Sequence, residues 1–284
     1  MSQEPLISFE AVSFSYASEP RRSGDPRPIP ALRDVNLKIW SGEYVVVLGR
    51  NGSGKSTLAR HCNALLVPTS GRVLIDGRDS RDDLVRPAIR DAIGMIFQNP
   101  DNQIIATVVE DDIAWSLAAR HVLAEQIRAR VSEALTVVGL ANSRGLAPHR
   151  LSDGQRQRLA IASALVVRPR ALIADEPTAL LDPMARRDVA RLLRQLNRET
   201  GLTVVHVTHL LEEAAGADRV IVLDDGKVVL TGAPAMVFVD LDRLRRWGLA
   251  IPEPLELADR LRAAGWPISP AALSLEAIAN EMSA

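Results

Sequence analysis

The feature that most constrains this chain is a glycine-rich stretch, GRNGSGKST, at residues 49–57. Its spacing fits the pattern G-x-x-x-x-G-K-[ST], which begins at Gly49 and ends with Gly54, Lys55 and Ser56. In such a loop the backbone N–H groups surround a phosphate, provided that a strand precedes the loop and a helix follows it. The run YVVVLG predicts the strand, and residues 55–66 predict the helix. We therefore expect the chain to bind phosphate groups at this loop.

Four side chains fit a nucleoside triphosphate with its metal ion. Lys55 is expected to reach the β- and γ-phosphates, and the Ser56 hydroxyl is expected to bind Mg²⁺. The run RALIAD predicts a buried parallel strand that ends at Asp175, and Glu176 follows directly. We interpret Asp175 as a ligand of Mg²⁺ and Glu176 as the base that takes a proton from an attacking water.

Length, charge and cysteine content exclude several classes of protein. A chain of 284 residues is long enough for one large domain with an appendage. Its formal net charge of -1 gives no basic field for nucleic acid, so no nucleic-acid partner is expected. The single cysteine, Cys62, cannot form an internal disulfide and is predicted to be a small buried side chain. No apolar run approaches the roughly 20 residues that span a bilayer, and the N-terminus lacks a signal-peptide pattern. Any membrane part must therefore come from other chains.

The patterns along the chain predict an α/β fold. Strands are predicted at LISFEAVSFSY, VNLKIW, RVLIDG, AIGMIFQ and LTVVHVTH, and a hairpin at RVIVLDDGKVVL. His206 lies in one of these strands and is assigned no other role. Residues 17–30 carry four prolines and three arginines and predict a solvated loop, either a mobile insertion or a contact with a partner or phosphates.

Two regions predict helices without clear strands. One is an inserted subdomain, where helical spacing puts four apolar residues on one buried face: Ile127, Val131, Leu135 and Val138. The other is a C-terminal tail, for which helical faces are predicted at Leu257, Leu261 and Ala264, and at Leu275, Ile278 and Met282.

The stretch LSDGQRQR, at residues 151–158, connects these motifs to a known family. With the phosphate loop, ADEPT, LLDP and His209 in the same order, the sequence resembles the nucleotide-binding subunits of ATP-binding cassette (ABC) proteins over roughly residues 5–235. The resemblance implies a P-loop NTPase fold, an ABC nucleotide-binding domain at 5–235. A helical subdomain is inserted at about 105–160, and 236–284 form a small C-terminal helical extension.

The resemblance also implies a role for each matching residue. His209 would bridge the γ-phosphate and the catalytic region, and Gln98 would link Mg²⁺ to a membrane partner. The catalytic set is then Lys55, Gln98, Glu176 and His209, and the metal ligands are Ser56, Gln98 and Asp175. ATP would be held by Tyr16, which would stack on adenine, and by Gly49, Asn51, Gly52, Ser53, Gly54, Lys55, Ser56 and Thr57. A second copy's ATP would be contacted by Ser152, Gly154, Gln155 and Asp182.

The signature stretch has one local explanation and one departure from the family. Ser152 and Gln155 form the S-x-x-Q pattern of a capping box, which predicts a helix with a well-defined, anion-attracting start. The resemblance implies that the anion is a γ-phosphate held by the other subunit of a head-to-tail dimer. Asp153 stands where the family usually has glycine, and we predict that its carboxylate points away from the nucleotide.

The stretch FQNPDNQ and the tail GLAIPEPLELADRLRAAGW are similar to the ATPases of energy-coupling-factor (ECF) transporters, which import vitamins or transition-metal ions. This implies a second ATPase, identical or related, a transmembrane scaffold subunit near Gln98 and a small membrane subunit that captures substrate. The chain would act as a peripheral protein at the cytoplasmic face of the membrane. The tail would either hold the ATPases together or pack on its own core.

Two alternatives stay open. One is a cassette for another type of ABC transporter, which would leave FQNPDNQ and the tail unexplained. The other is a non-transport ABC ATPase, although no sustained heptads separate Lys55 from Ser152.

Overall fold

The computed structural model describes residues 4–16, 30–269, 272 and 274–283. Nearly all of the predicted proline- and arginine-rich loop at 17–30 falls outside these residues. The described residues form an α/β fold with two β-sheets, as the helical and strand patterns in the sequence predict.

The larger sheet contains RALIAD as the buried parallel strand that its apolar run predicts, and the strands at YVVVLG, AIGMIFQ and LTVVHVTH lie parallel to it. Its spatial order is β10-β9-β3-β8-β7-β6. β3, β8, β7 and β6 are parallel to one another, β3 is also parallel to β9, and β9 and β10 form the predicted antiparallel hairpin. The six strands are β3 (Tyr44–Leu48), β6 (Ile93–Ile96), β7 (Ala171–Asp175), β8 (Thr203–Thr208), β9 (Arg219–Asp224) and β10 (Lys227–Gly232).

Both faces of this sheet are buried, which explains why the parallel strands are mostly apolar. Successive residues of β3 point to opposite faces: Val46 belongs to one core cluster, and Val45 and Val47 belong to the other. The carboxyl ends of β3, β7 and β8 lie side by side, since Leu48 pairs with Thr208 and Asp175 pairs with Val207. Loops that follow these three strands therefore meet at one edge.

The smaller sheet is antiparallel and has the order β2-β1-β4-β5. It packs on the face of the larger sheet that holds Val45 and Val47, because its buried side chains belong to the same core cluster. Its strands are β1 (Ile7–Phe14), β2 (Leu32–Ile39), β4 (Ser70–Ile75) and β5 (Arg78–Asp79).

The helices follow the predicted order, with one boundary that differs. The helix after the phosphate loop ends at Cys62 rather than at residue 66, because Ala64 adopts a left-handed φ of 55° and the N–H groups of Leu65 and Leu66 turn back to the Arg60 carbonyl. Cys62 is buried as predicted, and burial raises the pKa of its thiol. The first helices are α1 (Lys55–Cys62), α2 (Arg86–Ala92), α3 (Val109–Ala118), α4 (Ala124–Val137), α5 (Asp153–Leu165) and α6 (Pro183–Thr200).

The predicted inserted subdomain is helical. Residues 105–160, all of which the structure describes, contain α3, α4 and the start of α5 and no strand. On the predicted face, Val131, Leu135 and Val138 are buried and Ile127 packs against them at partial burial. The subdomain boundaries at about 105 and 160 stay a prediction, since α5 runs on to Leu165.

Within its described residues the tail forms four short helices, and its predicted buried faces are partly wrong. In α9 the buried residues are Leu255 and Ala258, which precede the predicted Leu257 and Leu261 by two and three residues. Leu257 itself is 40% exposed. In α10 only Ile278 of the three predicted residues is buried. The tail helices are α7 (Pro234–Val237), α8 (Leu241–Arg246), α9 (Glu253–Ala263) and α10 (Leu275–Met282).

The first part of the tail packs on the main core. Phe238, Leu241, Leu244 and Leu255 join the cluster that also contains Tyr44 of β3. Ala258, Ile268, Ala272 and Ile278 form a separate small cluster. The predicted domain boundary between residues 235 and 236 therefore divides residues that share one hydrophobic core. The division of the chain into two functional parts at this position stays a prediction.

Candidate functional site

The phosphate loop connects β3 directly to α1. Gly54 begins α1 with a left-handed φ of 101°, and a Cβ atom there would lie 2.4 Å from the Ala31 carbonyl oxygen. A Cβ atom at Gly49 would lie 2.4 Å from both the Leu223 carbonyl oxygen and the Ser53 Oγ. Only glycine fits these two positions, so the loop stays close to the strands beneath it. Because Gly54 offers no side-chain cap, the first N–H groups of α1 are available to an anion.

Lys55 lies folded over the loop with its ammonium group largely buried. Its Nζ donates to the carbonyl oxygens of Gly49 at 2.8 Å and Arg50 at 3.1 Å. The same atom is 3.5 Å from Glu176 Oε1. Burial lowers the pKa of Lys55, and the nearby carboxylates of Glu176 and Asp175 oppose that shift. The lysine is thus a positive charge held at the mouth of the loop, within reach of the acidic pair.

Ser56 and Asp175 come together as the sequence predicted for two metal ligands. The Ser56 hydroxyl donates a 2.8 Å hydrogen bond to Asp175 Oδ1. Burial raises the pKa of Asp175, while the Ser56 hydrogen bond and the charge of Arg60 lower it. A hydroxyl and a buried carboxylate are the hard oxygen donors that Mg²⁺ prefers, and a cation there would offset the desolvation of the carboxylate. The residues present fit Mg²⁺.

Gln98 lies at the same edge of the sheet, although it makes no hydrogen bond to Ser56 or Asp175 among the described residues. It follows β6 by two residues, and β6 pairs with β7 in a register that sets Ile96 beside Ala174. Its side chain is exposed. The structure thus brings Gln98 to the carboxyl ends of the strands and leaves its role as a metal ligand a prediction.

Glu176 stands between Lys55 and His209. Its Oε2 is 3.2 Å from His209 Nδ1, and its Oε1 faces the Lys55 ammonium group. Its backbone is left-handed, with a φ of 49°, a conformation that costs a non-glycine residue about 1–3 kcal/mol. Glu176 N donates to the Val207 carbonyl at 2.9 Å, so pairing with β8 holds the residue in that conformation.

Tyr16 lies beside the phosphate loop. Its hydroxyl is 3.0 Å from Thr57 Oγ1, and its ring makes an edge contact with Phe14. The residue is 48% exposed, so about half of its surface is accessible. Asn51 and Gly52 are exposed at the tip of the loop, and Ser53 is buried beneath it. The predicted nucleotide-binding residues from Gly49 to Thr57 therefore form a single loop, and Tyr16 lies beside it.

The signature residues form a second surface. The capping box is present: Ser152 Oγ accepts from Gln155 N at 3.3 Å, and Gln155 Oε1 accepts from Ser152 N at 2.9 Å. Asp182 begins α6 and accepts from the N–H groups of Met184 and Ala185. Ser152, Gly154 and Asp182 line a groove of about 170 Å³ between the starts of α5 and α6.

This second surface is separate from the phosphate loop within one chain. In the described part of the chain, no hydrogen bond or ion pair joins Ser152, Gly154, Gln155 or Asp182 to residues 49–57. Asp153 forms an ion pair with Arg156. The Nε atom of Arg156 also lies 3.3 Å from Asp101 Oδ1. The extra carboxylate is therefore matched by a guanidinium on its own helix.

Sequence reasoning missed a set of buried polar residues behind the site. His206, assigned only to its strand, faces Glu213 and Tyr44, and Glu213 accepts a hydrogen bond from Thr178. The available signal was the histidine itself, because a polar side chain in a strand that is otherwise apolar on both faces needs a buried partner.

Known proteins resemble this chain in both sequence and structure. The family model described as "ABC transporter" matches residues 32–179. The Energy-coupling factor transporter ATP-binding protein EcfA1 of Symbiobacterium thermophilum is 48% identical over 278 residues, which covers 98% of this chain and 96% of that protein. EcfA1 of Caldanaerobacter subterraneus is 45% identical, with 95% and 96% covered.

Two solved structures share the fold. The cbiO1 protein of Clostridium perfringens, described as part of the ABC transporter complex cbiONQ, has a TM-score of 0.76 and 34% identity, and the match covers 90% of this chain and 100% of that one. The ATP-binding cassette MJ0796, described as a dimer in a post-hydrolysis state with ADP and Pi, has a TM-score of 0.72 and 34% identity, covering 81% and 99%.

Proposed function

This chain belongs to the ABC transporter family, and we propose that it is the ATP-hydrolysing subunit of an energy-coupling-factor importer. The observation that carries the proposal is the position of Glu176, whose two carboxylate oxygens face Lys55 at 3.5 Å and His209 at 3.2 Å beside the phosphate loop. The ECF relatives match through the C-terminal tail as well as the cassette, which supports this class over other ABC transporters. Because the match to these relatives covers 98% of the chain, no further region of the sequence favours a non-transport ATPase.

In the proposed mechanism the phosphate loop binds the phosphates of ATP through its backbone N–H groups and Lys55. The Glu176 carboxylate orients a water molecule and accepts its proton, and His209 holds that carboxylate from the other side. Mg²⁺, when bound by Ser56, Asp175 and Gln98, neutralises negative charge on the phosphate oxygens. Tyr16 stacks on the adenine.

We propose that the complete site requires two ATPase chains. The signature residues lie on a surface separate from the phosphate loop, and their capped helix start offers N–H groups to an anion. A second copy or a related chain would bring this surface to the phosphate of the first. The dimeric form of the structural relative MJ0796 supports this arrangement.

The partner at the membrane is proposed to be a transmembrane scaffold that binds near Gln98. Ile105 and Trp115 are both 60% exposed in this region, and the neighbouring Asp101 and Asp111 are exposed acids. Exposed apolar side chains with exposed acids nearby in the sequence suit a basic, amphipathic segment of a membrane protein. A small membrane subunit would then capture a vitamin or a transition-metal ion. This puts the chain at the cytoplasmic face of the membrane as a peripheral protein.

None of the helices in the described ranges has the length and apolar character to cross a bilayer.

The decisive test of the activity is Glu176→Gln. This variant should bind ATP with an affinity within about twofold of wild type and lose hydrolysis by about 10²- to 10⁴-fold, since the general base is removed. Glu133→Gln, which changes an exposed carboxylate on α4, is the matched control and should hydrolyse ATP normally. Full activity of Glu176→Gln would refute the assigned mechanism.

The transporter class is tested by isolating the chain from gently solubilised native membranes and identifying its companions by mass. A scaffold with a small substrate-capture subunit would support the ECF assignment. A pair of large permease chains would move the ATPase to another transporter type, and the absence of membrane companions would refute the transport role.

A further inference from the structure

Four buried polar side chains form a connected network behind the candidate catalytic residues. The Thr178 hydroxyl donates to Glu213 Oε1 at 2.6 Å, and Glu213 Oε2 faces His206 Nε2 at 3.2 Å. The other ring nitrogen of His206, Nδ1, is 3.0 Å from the Tyr44 hydroxyl. Each of these residues is at most 3% exposed. We call Tyr44, His206, Glu213 and Thr178 the buried network.

Glu213 is the charged centre of this network. Its Oε2 lies 3.2 Å from the Nε2 of His206, a contact that joins two buried polar atoms with no geometrically formed hydrogen bond among the described residues. Burial disfavours the Glu213 carboxylate, but the contact with His206 and its charge, together with the hydroxyls of Thr178 and Thr208, outweigh burial and lower the pKa to about 2. Glu213 is therefore an anion that binds two neighbours at once.

The network joins the two chain segments that carry the catalytic residues. Thr178 is two positions after Glu176, whereas His206 and Glu213 are three positions before and four positions after His209. The contact between Glu176 and His209 is made by side chains on two different segments. Glu213 lies on the second segment, accepts a hydrogen bond from Thr178 of the first, and faces His206 at 3.2 Å, all at buried positions where water does not compete.

The turn at Glu176 needs such an anchor. Its left-handed backbone is followed by a turn that the Ala179 N–H closes on the Glu176 carbonyl at 3.2 Å. Thr178 lies inside this turn, and its side chain bonds to Glu213. Loss of that bond would free the turn to relax toward an ordinary backbone conformation, which would move the Glu176 carboxylate away from His209.

We propose that Glu213 is a positioning residue for ATP hydrolysis, which holds Glu176 and His209 in contact through its hydrogen bond to Thr178 and its contact with His206. The inference rests on the proposed function, because it concerns the same reaction. A positioning role and a purely structural role predict different kinetic results. The loss should appear in kcat and leave ATP binding intact, since the phosphate loop is not part of the buried network.

The test is a comparison of ATP hydrolysis by the full chain at a temperature where every variant is folded. Glu213→Gln keeps the side-chain volume and should lower kcat by about tenfold to a hundredfold, with the KM for ATP within about twofold of wild type. Thr178→Val should reproduce the loss, and Thr178→Ser should restore activity, because serine returns the hydroxyl. Glu213→Gln with Thr178→Val should lose no more than the larger single loss, since both act on one turn.

Leu211→Ala is the matched control. Leu211 is buried in the same short helical turn as Glu213 but is apolar, so its truncation should lower the Tm while preserving kcat. Wild-type kcat in Glu213→Gln, an equal loss in Leu211→Ala, or failure of Thr178→Ser to restore activity would each overturn the inference. Absence of hydrolysis in the wild-type chain would overturn the proposed function and this inference together.

Discussion

The Ser56 hydroxyl donates a hydrogen bond of 2.8 Å to the Asp175 carboxylate and joins two motifs that are 119 residues apart in the chain. Ser56 lies in the first turn of α1, after the loop that follows β3, and Asp175 ends β7, with only β8 between the two strands. Because the strands are parallel, both side chains emerge at the same edge of the sheet. The bond holds two oxygen donors of the predicted metal site side by side.

Removing the Ser56 hydroxyl should weaken the use of Mg²⁺. In Ser56→Ala the Mg²⁺ concentration for half-maximal ATP hydrolysis should rise by about tenfold, because one oxygen ligand is lost. The measurement is the rate of phosphate release as Mg²⁺ is titrated, with chelation by EDTA expected to abolish the rate in both proteins. The control is Ser41→Ala, which changes an exposed serine near the amino end of β3 and should match wild type. An unchanged Mg²⁺ dependence in Ser56→Ala would exclude Ser56 as a metal ligand.

Asp153 should have little effect on turnover, although a glycine is usual at its position in the family. Its carboxylate is paired with Arg156, so its negative charge is partly neutralised. We expect Asp153→Gly to change the rate of hydrolysis by less than about tenfold at saturating ATP. A hundredfold increase would show instead that the carboxylate repels the γ-phosphate.

The ring of Tyr16 should contribute to nucleotide affinity independently of its hydroxyl. Stacking of a base on an aromatic ring contributes about 1–3 kcal/mol, so Tyr16→Ala should raise the Kd for ATP by about tenfold or more. Tyr16→Phe loses only the contact with Thr57 and should bind nearly as wild type. Calorimetric titration with ATP separates the two variants, and equal weakening in both would assign the role to the hydroxyl.

The stability that Glu213 contributes should depend on pH. Its pKa falls from 4.5 to about 2 on folding, so its ionised form is favoured in the folded state. That contribution is complete above the unfolded pKa of 4.5 and is lost as the pH falls toward 2. The difference in free energy of unfolding between wild type and Glu213→Gln should therefore be smaller at about pH 3.5 than at pH 7.

Urea denaturation of the two proteins at several pH values measures this difference. Glu212→Gln is a useful control, since it alters the neighbouring exposed carboxylate. A gap between wild type and Glu213→Gln that widens as the pH falls would contradict the assignment of Glu213 as a buried anion.

Much of the fold could be predicted because its signals are local. The apolar runs of β3, β7 and β8, the Asp225-Gly226 turn and the capping box at Ser152 depend on residues close together in sequence, and each is present in the structure. The tail was less predictable, because which face of α9 is buried depends on what the helix packs against. Leu255 is buried there and Leu257 is not.

Local sequence encodes the chemical groups of this protein: a loop that only glycines can form around phosphates, a lysine and serine at its end, and an acidic pair after a buried strand. Which of these groups touch depends on the tertiary structure. The pairing of β7 with β8 brings Glu176 to His209, and the packing around β8 sets His206 and Glu213 in contact. Contacts between distant segments follow from sheet order and desolvation, which no local pattern of residues encodes.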